Sequence, residues 1–152
     1  MIQYQYVYEN DKALIEKLKI VKNEYNRIKA CNSLIRIFST NTDKGVIRNV
    51  CGIIEREMPD TLYVGCTTNS NILDGKFLEN GISIIITLFT DPSTKVNVWH
   101  QTLEGYSAHQ MLEEVPKIRA LFPNVKAIEA LVSSYGMMES NLTKTFEKYR
   151  SS

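Results

Sequence analysis

Apolar and polar residues alternate at the start of the chain, where Ile2, Tyr4 and Tyr6 interleave with Gln3 and Gln5. A period of two is that of a strand, and the polar interleaving places it at a sheet edge. The period then lengthens. Leu14, Leu18, Val21, Tyr25 and Ile28 recur every three or four residues and share one helix face, while Lys12, Lys19, Lys22 and Arg27 mostly lie elsewhere. Asn10 or Asp11 is placed to cap this helix. Residues 33–39, SLIRIFS, are short, branched and aromatic, and read as a buried strand. TNTDKG turns the chain. Val46, Ile47, Val50, Cys51, Ile54 and Met58 trace the face of a second helix, which Pro59 and Asp60 stop. TLYVGC, residues 61–66, reads as the next buried strand. Strand, helix and strand over this span have the length of a βαβ unit, with parallel strands and a right-handed crossover.

The strongest strand pattern is GISIIITLFT, residues 81–90, followed by the turn DPST. KVNVWHQTL, residues 95–103, alternates again, which predicts an antiparallel hairpin with the preceding strand. Residues 107–122 have a helical pattern that Pro116 kinks or restarts. Residues 125–132 read as a strand and 138–149 as a last helix. The class expected is α/β, leaning to α+β: a mixed β-sheet with a βαβ unit and a β-hairpin, covered by helices, in one domain over residues 1–152.

Charge narrows the partners. Eighteen Lys plus Arg stand against 17 Asp plus Glu in 152 residues, without the basic excess expected of a nucleic-acid binder. No apolar run nears the ~20 residues that span a bilayer. The first residues lack the basic and apolar regions of a secretory signal. Cys31, Cys51 and Cys66 are odd in number and irregular in spacing, as expected of a reducing cytoplasm rather than a disulfide framework.

Ligands of open α/β sheets bind beyond the carboxyl ends of the parallel strands. Residues 39–42, 66–71 and 133–136 follow the candidate strands, and all three stretches are rich in hydroxyls and amides. If the strands are neighbours, Asn41, Cys66, Thr67, Thr68, Asn69, Ser133 and Ser134 form one neutral rim for a small polar ligand. Ser, Thr and Asn also cap helices and make turns, which is the plainer role of any one loop. Cys66 could instead be a nucleophile with His100 or His109 as base. Neither histidine lies in a local signature with it, and no cation is at hand to lower its pKa. The histidines have no metal-ligand spacing, and no phosphate-loop motif occurs, so no cofactor is expected. A third role is a scaffold, in which the edge strand at residues 2–8 pairs with a partner or a second copy.

LIRIFST, then REMPDTLYVGCTTNSNILDGKF, then GISIIITLFTDPSTKV resemble the FIST N-terminal domain, a bacterial sensory module. Gly65, Cys66, Thr67, Thr68 and Ile72 match its Gly-Cys-Ser/Thr-Thr-x-Gly-Glu-Ile motif, and Pro59, Ile86 and Phe89 match in place. Ser70 stands where the family usually has glycine, and Asn71 where it usually has glutamate. The resemblance covers about residues 33–100. It implies a non-enzymatic cytoplasmic sensor of small ligands, such as amino acids. It also implies an attached or partner output domain, such as a GGDEF diguanylate cyclase or an EAL phosphodiesterase. A chain of this kind is either a stand-alone module, monomeric or homodimeric, or a piece of a longer signalling protein.

Overall fold

Asn10 opens the first helix. Its side chain accepts from the Ala13 N–H at 2.9 Å, satisfying one of the donors that a helix start leaves free. The structure is a computed structural model, which describes residues 1–98 and, beyond them, 116–117, 120–127, 129 and 131. The chain divides into two compact units, Met1–Trp99 and His100–Ser152.

In the first unit, β1 (Ile2–Val7) leads to α1 (Asp11–Arg27), β2 (Asn32–Ser39), α2 (Lys44–Glu57) and β3 (Leu62–Thr67). Two short strands come next, β4 (Asn71–Leu73) and β5 (Lys76–Leu78), then β6 (Ile82–Phe89). Four strands form a mixed sheet in the order β1-β6-β2-β3, and β4 and β5 pair as a separate hairpin. The β2-α2-β3 segment is the expected βαβ unit, with parallel strands. β6 is antiparallel to both its neighbours.

The helical periodicity is realised in packing. Leu14, Leu18 and Val21 of α1 and Val50, Ile53 and Ile54 of α2 are buried against Ile35, Ile37, Ile84, Ile86 and Leu88 of the sheet. Ile35 pairs with Ile86 and Ile37 with Ile84, so these four side chains stand on one face of the sheet. Each such buried side chain contributes roughly 1.5–3 kcal/mol of transfer free energy. α2 begins on Asp43, whose carboxylate accepts from the N–H groups of Gly45 and Val46. It ends at Met58, before Pro59, as its sequence requires. The Lys22 ammonium of α1 donates to the Glu57 carbonyl, placing a cation at the C-terminal end of α2.

Two expectations are corrected. Residues 61–66 were expected to form a buried strand, but β3 is a margin of the sheet among the described residues, and Leu62 is 41% exposed. Among the described residues only one of its sides pairs, with β2. Residues 81–90 do not form the expected hairpin with the described residues 95–98. Both sides of β6 are taken, by β1 and β2, and the described residues 95–98 are not in a strand. The hairpin that does form is β4–β5, turning on Asp74 and Gly75, both with positive φ (49° and 72°). Asp-Gly is the strongest short hairpin signal, because both central residues of such a turn need φ > 0. It lies inside a stretch that otherwise reads as a polar loop.

In the second unit, Pro116, Lys117, Ala120 and Leu121 are helical, as the pattern over 107–122 predicts. The described residues 125–127, 129 and 131 are not in a strand. Residues 99–115 and the last helix expected at 138–149 lie outside the described residues.

Candidate functional site

Strand direction brings the polar loops together. β1 is antiparallel to β6, and β6 is antiparallel to β2, so β1, β2 and β3 all run the same way. Val7 pairs with Ser83, and Ser39 pairs with both Ile82 and Thr67. Three strands therefore end, and β6 begins, along a single margin.

Hydrogen bonds lock the backbone of this margin. The Thr68 N–H donates to the Ser39 carbonyl at 2.8 Å, and the Tyr8 N–H to the Ile82 carbonyl at 2.8 Å. The Thr40 N–H donates to the Gly81 carbonyl at 3.0 Å, and the Gly81 N–H returns to the Thr40 hydroxyl at 2.8 Å. Gly81 sits at φ +133°, a conformation in which a side chain is strained. The buried Asn71 amide donates to the Phe38 carbonyl at 3.1 Å and accepts from the Thr68 hydroxyl at 2.7 Å. Gly65 is required by close approach, since a Cβ there would lie 2.4 Å from the Ile37 carbonyl oxygen.

Two adjoining open clefts result. One, of about 270 Å³, is lined by Thr40, Thr42, Thr67, Thr68, Asn69, Glu79 and Asn80. The other, of about 400 Å³, is lined by Tyr8, Thr40, Asn41, Thr42, Val46, Asn80, Gly81 and Ile82. Thr40, Thr42 and Asn80 form the wall between them. The smaller is below, and the larger within, the roughly 300–1,000 Å³ of sites for drug-sized ligands.

The expected residues separate accordingly. Thr67, Thr68 and Asn69 line the first cleft and Asn41 the second. Cys66 lines neither. Ser133 and Ser134 lie outside the described residues, as do His100 and His109. Thr68 has already given both its N–H and its hydroxyl proton to the protein, so it offers a ligand only an acceptor. Asn41 has its oxygen on the Asp43 N–H, which leaves its two amide N–H donors. Thr42, Thr67, Asn69, Glu79 and Asn80 make no side-chain hydrogen bond to the described residues.

Tyr8, Glu79 and Asn80 were not anticipated. A search confined to the carboxyl ends of strands passes over residues 79–81, because they precede an antiparallel strand. The Asn-Gly pair at 80–81, just before the strongest apolar run, is the signal in the sequence. Tyr8 is held by its hydroxyl, which donates to Asp11 at 2.6 Å, and Asn49 of α2 donates to the same carboxylate oxygen at 2.8 Å. This bond to Asp11 is the first cause that pushes the Tyr8 phenol up, ahead of burial.

Burial pushes the Cys66 thiol up as well, opposite to the lowering that activates a nucleophile. Its Sγ forms no hydrogen bond to the described residues. Among those residues no three His, Cys, Asp or Glu side chains gather as a metal site, and no helix is long and apolar enough to cross a membrane. No family model, no curated protein and no solved structure matches the chain.

Proposed function

We propose that this chain is a non-enzymatic sensor domain of the FIST type. It binds a small polar ligand at the margin where β1, β2 and β3 end, and it regulates an attached or partner output domain such as a GGDEF cyclase or an EAL phosphodiesterase. The observation that carries the binding reading is the division of labour along the margin. Thr40, Thr68 and Asn71 are spent on holding the loops to one another. Thr42, Thr67, Asn69, Asn80 and the Asn41 amide are left to point hydrogen-bonding capacity into the clefts. A frame fixed by the protein with uncommitted polar groups around it is how a site reads a small molecule. The FIST assignment and the output domain rest on the residue pattern of 33–100.

A thermal-shift screen of amino acids and related polar metabolites tests the binding reading. A ligand at 100 times its Kd adds about 2.7 kcal/mol to the stability of the folded state. The melting temperature should therefore rise by several degrees and saturate with concentration. Thr67→Val with Asn69→Ala should abolish the rise. A screen in which no compound at millimolar concentration shifts the melting temperature contradicts the reading.

A further inference from the structure

The charge of the clefts determines what kind of polar ligand fits. Of the described residues that line them, only Glu79 carries a formal charge. Its carboxylate forms no ion pair or hydrogen bond with the described residues, and it stands in the wall of the smaller cleft beside Asn69, Asn80, Thr42 and Thr67. Among the described residues, no lysine or arginine lines either cleft. The nearby start of α2 offers no substitute for one. Two of the N–H groups in its first turn, those of Gly45 and Val46, are already taken by the Asp43 carboxylate, which adds a second negative charge there. An anionic group entering the clefts thus meets carboxylates and no charge of its own complement. An ammonium meets an uncommitted carboxylate among amide and hydroxyl acceptors.

We propose that the ligand carries a protonated amine together with hydroxyl or amide groups and has no carboxylate or phosphate, with Glu79 as the residue that selects for the amine. The proposal rests on the binding reading above and adds the ligand's class to it. It separates amino alcohols and related polar amines from amino acids, whose carboxylate the clefts disfavour. Glu79 is exposed, so its charge is partly screened by water and salt. A two- to fivefold effect on affinity is the scale expected of such a contact.

The test is a matched series of three-carbon probes titrated into the ¹⁵N-labelled full chain, read by amide shifts of Thr67, Thr68, Asn69 and Asn80. The probes are 2-amino-1,3-propanediol (cationic), glycerol (neutral), serine (zwitterionic) and glycerate (anionic). The amine should bind two- to fivefold more tightly than glycerol, and serine and glycerate more weakly than the amine. Glu79→Gln should bring the amine to the level of glycerol and leave glycerol unchanged, and added salt should narrow the gap in the wild type only. If glycerol and the amine bind alike, or if Glu79→Gln leaves their ratio unchanged, the selection by charge is overturned while the polar site stands. If none of the four moves these amides at any attainable concentration, both the selection and the site beneath it fall. Glu79 is exposed and makes no hydrogen bond or ion pair among the described residues, so the variant should be folded, and its spectrum outside the clefts reports that directly.

Discussion

Asn71 joins the loops after β2 and β3 through both ends of its amide, giving an N–H to the Phe38 carbonyl and taking the Thr68 hydroxyl proton. The asparagine amide supplies a donor and an acceptor on one short planar group, which a carboxylate does not. A carboxylate at position 71 would face the Phe38 carbonyl with no hydrogen to give. Asn71→Asp should therefore destabilise the protein by about 1–3 kcal/mol, the cost of leaving buried partners unsatisfied. Urea denaturation checks this, and an unchanged midpoint would show that the loops hold without the bridge. The same residue shows what a polar sequence hides. Thr67, Thr68, Asn69 and Asn71 look alike as a hydroxyl-amide run, yet two of them hold the frame and two face the cleft. Partner assignments that depend on atoms 33 residues apart, as between Asn71 and Phe38, are not written in local pattern.

Among the elements, α1 was legible at its start and along its buried face. Its apolar stripe predicted Leu14, Leu18 and Val21 as core, and Asn10 as a possible cap. Its exit was not legible. The chain leaves α1 through Lys29 at φ 52°, with the Lys29 N–H on the Asn26 carbonyl and the Ala30 N–H on the Tyr25 carbonyl. That is a Schellman end with lysine where glycine is favoured. Lys29→Gly should raise stability by about 0.5–1 kcal/mol, since an L side chain is disfavoured in this conformation. A fall in the thermal midpoint would argue against that geometry. β3 was misjudged for a reason of scale: an apolar run of six residues has the same pattern in the middle of a sheet and at its margin. What secures that margin includes a bond to the next layer: the hydroxyl of Tyr63, in β3, donates to Glu55 of α2. This bond, with burial second, pushes the Tyr63 phenol up to about 12 from its ordinary value of 10.0. The folded state then holds the phenolic proton more tightly than the unfolded state does. Its stabilisation is complete below about pH 10 and is lost as pH rises toward 12. Urea midpoints measured from pH 9 upward should fall more steeply for the wild type than for Tyr63→Phe, and parallel curves would remove Tyr63 from the account.

For the whole first unit, the mixed sheet and its βαβ unit were legible because periods of two and of 3.6 residues alternate cleanly up to residue 90. Strand order was not. Placing β6 between β1 and β2 joins residues far apart in sequence, and it occupies both sides of the strand that was expected to pair with residues 95–103. That order also determines the site. It sets the start of β6 beside the ends of β1, β2 and β3, and so brings residues 79–81 to the margin. Binding of a small polar ligand at this margin is tested most directly by amide mapping. The ¹⁵N-labelled full chain is titrated with the compound that raises the melting temperature most. Binding there predicts saturable shifts concentrated at Tyr8, residues 40–42, residues 67–69 and residues 79–82, with α1 unmoved along its exposed face. Saturable shifts elsewhere in the first unit, with these residues silent, would contradict it.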